Sequence, residues 1–180
     1  MVQHDYNGAG RWSRAAILAR YGELARRLRI EAPADLRPLE VTAAGERWIY
    51  PVMMRVIEGI ERGDAACVEL GIAFIEEDSP FPFGRVLKSN TARALRRAAL
   101  TPEQQERIRR RVVAMLVAGN TPREYREYAK LVRRIGVGNW WAQAEGRLNL
   151  TSPYVRRYYN YFKQHVLGNE PSAAAPNPAT

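Results

Sequence analysis

Residues 95–136 read LRRAALTPEQQERIRRRVVAMLVAGNTPREYREYAKLVRRIG, and the punctuation inside this stretch decides the fold class. Thr101-Pro102-Glu103-Gln104 has the makings of a helix start. The threonine hydroxyl can accept from a backbone N–H three residues on, proline suits the first helical position, and Gln104 can reach back to close a capping box. The helix it opens runs to Gly119. Thr121-Pro122-Arg123-Glu124 repeats the device, and its helix runs to Gly136. Ile108, Val112, Met115 and Leu116 share one side of the first segment. Tyr125, Tyr128, Leu131, Val132 and Ile135 share one side of the second, so each carries a single apolar stripe.

Outward from this stretch the same punctuation continues. Residues 85–99 form a helix whose apolar arc holds Leu87, Ala94, Leu95 and Ala98. Before it, Ser79-Pro80-Phe81-Pro82-Phe83-Gly84 must turn, because proline and glycine together break a helix. Asp64 is a ready N-cap for a helix over 65–77, and Gly63 ends the one before it, which carries Val52, Met53, Val56, Ile57 and Ile60. Pro51 stands either in the first turn of that helix or at a kink after a lead-in from Glu46. Residues 31–41, with Pro33 and Pro38, read as a connector. Residues 11–30 form the first helix, with Trp12, Ile17, Tyr21, Leu24 and Leu28 on one stripe. Toward the other end, a short piece spans 139–148, and Ser152-Pro153 opens a last helix that stops near Gly168.

No segment sustains the period-2 alternation of a strand. The fold class expected is therefore all-α: seven or eight helices in antiparallel hairpins, stacked as a helical repeat or packed as an irregular bundle. Residues 1–168 form a single helical domain, and 169–180, rich in Ala and Pro, are expected to be a disordered tail. The length of 180 residues, 46 % of them apolar, suffices for one domain with a real core. No run approaches the roughly 18 apolar residues that cross a bilayer, and the opening residues lack the basic-then-apolar order of a signal peptide. A cytoplasmic location and no membrane partner follow as expectations.

The charge is concentrated. The formal net charge is +9. Residues 1–84 carry 10 Arg against 13 acids, whereas 85–134 carry 12 Arg and 2 Lys against 4 Glu. Lysine occurs only at Lys88, Lys130 and Lys163, so the basic block is an arginine block, and arginine's planar fork suits carboxylates and phosphates. On helical wheels, Arg85, Arg93, Arg96 and Arg97 oppose the first core stripe. Arg107, Arg110 and Arg111 flank the second, and Arg126, Lys130 and Arg133 stack at i, i+4 and i+7 on the third, with Arg123 and Arg134 beside them. The partner-binding residues expected are Arg85, Arg93, Arg96, Arg97, Arg107, Arg110, Arg126, Lys130 and Arg133.

Leu95 to Arg107, followed by Arg123 to Leu131, resembles uncharacterised bacterial proteins with HEAT-like helical hairpins. The resemblance covers about residues 65–136; residues 1–50 and 137–180 do not match a repeat. It implies stacked helix pairs and a binding surface, and it transfers no catalytic residue.

Chemistry is sparse by comparison. His4, in a terminus expected to be flexible, and His165, on the aromatic side of the last helix, are too few for a histidine metal site. Cys67 reads as a buried small hydrophobe. The run Glu76-Glu77-Asp78 closes a helix at its negative end and calls for cations, with Arg85, Lys88 and Arg93 as candidates. The function expected is a non-enzymatic helical interaction protein, without cofactor or metal, presenting its Arg face to an acidic protein surface. The alternative is nucleic-acid binding through the same face, mostly by phosphate contacts.

Overall fold

The computed structural model describes residues 2–167, so the expected tail, 169–180, lies outside the described residues. Among the described residues there are eight α-helices: α1 (Arg14–Arg27), α2 (Val52–Glu61), α3 (Ala65–Glu77), α4 (Gly84–Arg97), α5 (Pro102–Val117), α6 (Tyr125–Ile135), α7 (Trp140–Ala144) and α8 (Pro153–His165). The protein is thus mostly α-helical.

Most boundaries follow from the capping chemistry. Gly63 leaves α2 with φ of +84°, and the Asp64 carboxylate accepts from the Cys67 backbone N–H at 2.8 Å. At α5 the capping box closes in both directions: the Gln104 N–H donates to the Thr101 hydroxyl, and the Thr101 N–H donates to the Gln104 side chain at 2.9 Å. Ser152 accepts from the Val155 N–H at the start of α8. The second Thr-Pro device does not operate. Residues 121–124 form a turn, and α6 begins at Tyr125 without a side-chain cap.

Packing sorts the helices into two layers. The even-numbered helices pack in the series α2, α4, α6, α8, and the odd-numbered ones in the series α1, α3, α5, α7. Each helix lies beside the helix two places on, while chain neighbours such as α2 and α3 face each other across the layers. Glycine permits the closest of these crossings. A Cβ on Gly59 of α2 would collide with the Cys67 sulfur on α3, and one on Gly71 of α3 would lie 2.6 Å from the Ile60 Cδ1 on α2. The core between the layers includes Trp12, Ile17, Met53, Leu70, Phe74, Tyr125, Tyr128 and Phe162, all essentially fully buried.

One feature departs from the helical reading. A three-stranded sheet, β1 (Val2–Asp5), β2 (Glu40–Ala43) and β3 (Glu46–Ile49), is ordered β1-β3-β2, with β1 parallel and β2 antiparallel to β3. Ala44 and Gly45 turn the β2–β3 hairpin with φ of 49° and 79°, the two positive values that match the twist of a tight hairpin. The segment leading into Pro51 is therefore a strand, and part of the connector is its partner. His4 is likewise not in a free end: it pairs in β1, stacks on Trp48 at 5.7 Å, and lies 3.3 Å from Glu46. Asn7 ties the sheet to α2 by accepting from the Val52 N–H at 2.8 Å.

Candidate partner-binding surface

The two-layer order separates the arginines that the wheels had put on one face. Arg107 and Arg110 sit on α5, in the odd layer, beside α3. The Arg107 guanidinium donates to Glu76 at 2.5 and 3.1 Å and to Glu69 at 2.6 Å, so its fork is fully engaged within the fold. Glu69 also accepts from Gln104 at 2.8 Å. Burial opposes the charge of Glu69, but these donors outweigh it and hold the carboxyl below its usual range. The odd-layer seam therefore neutralises itself, acid on α3 against base on α5.

The acidic run at the end of α3 is compensated in the same way, with partners that differ from those expected. Glu76 takes Arg107. Glu77 accepts from the Trp12 indole at 2.8 Å and from Arg20 at 2.9 Å. Asp78 takes Lys88 at 2.5 Å and Arg111 at 3.3 Å. Of the three predicted cations only Lys88 takes part; Arg85 and Arg93 face elsewhere.

They face the seam between α4 and α6. These two helices run side by side in the same direction, and both carry cations. Arg85, Arg93 and Arg123 line a depression of about 230 Å³ near their N-terminal ends. Arg96, Lys130, Arg133, Arg134 and His165 line a cleft of about 520 Å³ toward their C-terminal ends. Between the two lies Glu127, only 6 % exposed, with Lys130 at 3.1 Å, Arg93 at 3.4 Å and Arg96 at 3.6 Å. Seven cations thus line the seam and its two hollows, and Glu127 is the carboxylate set among them.

Of the nine predicted residues the fold brings together Arg85, Arg93, Arg96, Lys130 and Arg133. Arg97 turns aside to pair with Glu61 of α2. Arg126 is exposed on α6 on the side of Tyr158 and α8. Arg107 and Arg110 lie on the opposite layer. The wheel reading could not separate these groups, because a wheel gives each helix's orientation to its own core and not which helices share a layer. Glu127 was missed altogether; its i, i+3 spacing to Lys130 is the only local signal.

Glu127 is the electrostatic keystone of the seam. Its burial disfavours charge, yet the hydrogen bonds and charges of Lys130 and Arg93 prevail and lower its pKa. Because the folded value is depressed, its contribution is complete above the ordinary glutamate pKa of about 4.3 and is lost as pH falls through the folded value. Glu127→Gln is expected to destabilise the fold by about 1–3 kcal/mol, through three cations left facing one another without a counter-charge. Thermal denaturation of the parent and the variant at neutral pH measures the effect; an unchanged Tm would refute this role.

Comparison with protein-family models, with curated proteins and with solved structures finds no match in any of the three. Among the described residues no group of histidine, cysteine and carboxylate side chains is placed to hold a metal ion, and no helix is long and apolar enough to cross a membrane. Burial raises the Cys67 thiol pKa far above its ordinary value, with the Asp64 carboxylate adding to the effect, so the sulfur is an inert packing group.

Proposed function

We propose that the protein is a non-enzymatic, HEAT-like helical interaction module whose α4/α6 seam receives an acidic protein surface. The stacking of helix pairs in two layers supports the HEAT-like part of this reading. The observation that carries the binding part is the contrast between the two layers. The α3/α5 seam matches acid with base, whereas the α4/α6 seam sets Arg93, Arg96 and Lys130 around one carboxylate, with Arg85 and Arg133 in the hollows at either end. Like charges aligned on parallel helices cost stability unless an anion lies against them.

A protein partner is favoured over nucleic acid by what flanks the cations. Binding of single-stranded nucleic acid gains much of its strength from bases stacked on exposed aromatic rings. The tyrosines of α6, Tyr125 and Tyr128, are fully buried and offer no such platform within the seam itself, and the exposed ring of Phe83 lies outside it, beside α2. The seam instead already holds a carboxylate, Glu127, 3.4 Å from Arg93 and 3.6 Å from Arg96, which supports a carboxylate-bearing partner.

The test is fluorescence polarisation with a labelled Glu-rich peptide and, in parallel, a mixed-sequence DNA duplex at low and moderate salt. Reversing Arg93, Arg96 and Arg133 to Glu is expected to weaken peptide binding at least about a hundredfold, while Arg110→Glu in the odd layer leaves it within about twofold. Equal losses in the two proteins would remove the α4/α6 seam from the reading. Binding of the duplex alone, with a steep salt dependence, would replace the acidic protein with nucleic acid.

A further inference from the structure

The basic seam does not end in polar surface. On its α2 side, Tyr50, Pro51, Met54, Ile57, Phe83 and Val86 line a largely apolar groove of about 370 Å³ between α2 and α4, whose one charged lining residue, Glu58, is paired with Arg55 at 2.9 Å. Three of these side chains are large and open to solvent: Met54 at 40 %, Phe83 at 58 % and Val86 at 52 %. Val86 and Asn90 border both this groove and the depression lined by Arg85, Arg93 and Arg123. Apolar and cationic surfaces therefore meet along one helix, α4, with no element of the described chain between them.

Phe83 adds a second observation. Its backbone is left-handed, with φ of 55° and ψ of 20°, immediately before α4. A bulky residue seldom adopts that conformation, and strain of this kind collects where a side chain must be aimed. In the Pro-Phe-Pro-Phe turn, Phe81 packs into the core against Phe74 at 5.4 Å. Phe83 is directed outward to the groove rim, where the Tyr6 ring holds it edge-on at 5.3 Å. Two phenylalanines two residues apart are thus sent to opposite sides, one for packing and one for the surface.

We propose that the α2/α4 groove and the α4/α6 seam form one docking site for an acidic peptide segment with an apolar anchor. The anchor seats between Met54, Phe83 and Val86, and the carboxylates that follow it run across Arg85, Arg93 and Arg123. Charge complementarity selects this occupant: the groove opens onto three arginines, so an apolar segment flanked by cations is repelled and one flanked by carboxylates is held. The inference rests on the acidic-partner reading above and specifies its partner as a linear segment read in two parts.

The experiment uses the full chain and two synthetic labelled peptides, one with a Leu/Phe anchor followed by a run of Glu, the other with the anchor replaced by Ser. The anchored peptide is expected to bind about tenfold tighter or more, since burying one large apolar side chain accounts for at least that factor. The double variant M54S/V86S, altered only at exposed positions, is expected to remove the difference without weakening the Ser peptide. Reversal of Arg85 and Arg93 to Glu is expected to abolish both. If both peptides bind equally and both respond to the arginine reversals, the composite site is overturned while the acidic-partner reading stands. If neither binds, both fall. If sedimentation shows a dimer that M54S/V86S dissociates, the groove is a face between copies of this chain and the proposal is overturned.

Discussion

Truncation before Pro153, which removes α8, is expected to leave an insoluble or molten chain, whereas removal of residues 169–180 leaves Tm nearly unchanged. The helix places Val155 and Phe162, both fully buried, and Tyr158 and Val166, both nearly so, against the end of the even layer. Tyr158 meets the buried ring of Tyr125 at 4.6 Å, and Trp141 lies 5.8 Å from Phe162 and 5.7 Å from Tyr159. Burial of each such side chain contributes about 1.5–3 kcal/mol. Together they rival the whole net stability of a small domain, about 5–15 kcal/mol. Loss of the near-UV circular dichroism signal with retention of the far-UV signal, accompanied by dye binding, would identify the expected state. A soluble truncated chain with a sharp melting transition would instead make α8 an appended interface.

The docking of α8 was legible because its aromatic residues recur on one arc, and Tyr154 shows where such reading ends. It belongs to that arc by spacing but is 67 % exposed, since α6 and Trp141 cover only the part of the stripe beyond the first turn. The helix count was legible for a related reason: capping residues act within three or four positions, so Asp64, Thr101 and Ser152 announce their helices locally. Thr121 announced one falsely, because the cap works only when the chain beyond it enters the helix at once. The sheet left no signal. Its strands have four residues each, and β2 is exposed on both faces, so no alternation of burial exists to imprint a pattern on the sequence.

The candidate surface divides along similar lines. Which residues are basic, and that they lie away from each helix's core stripe, is local information. Whether Arg107 meets Glu69 or an outside partner depends on α5 lying beside α3, a relation between segments more than 30 positions apart. The apolar groove was hidden more completely. Met54 and Val86 stand outside the core stripes of their helices, and only the packing of α2 beside α4 joins them with Phe83 in one apolar surface.

Asp64→Ala is expected to destabilise the protein by about 2–4 kcal/mol, well beyond the loss of a helix cap. One carboxylate oxygen caps α3 through the Cys67 N–H. The other accepts from the Tyr21 hydroxyl of α1 at 2.7 Å, and that hydroxyl in turn accepts from the Ala34 N–H in the connector after α1. Burial, and next the Asp64 carboxylate, raise the Tyr21 phenol above its ordinary pKa, so the hydroxyl remains a donor throughout the neutral range. A cap alone is worth about 1 kcal/mol, and a hydrogen bond to a charged group about 1.5–3 kcal/mol. Removing the carboxylate withdraws both and leaves the tyrosine hydroxyl short of an acceptor. Asp64→Asn retains the cap, because asparagine is as good at that position, and is expected to cost less than Asp64→Ala. Tyr21→Phe separates the parts. If the carboxylate acts on both elements, the losses from Asp64→Ala and Tyr21→Phe are non-additive by about 1 kcal/mol or more in urea denaturation. Strict additivity would mean that Asp64 serves α3 alone, and that α1 and the connector are held by apolar packing without it.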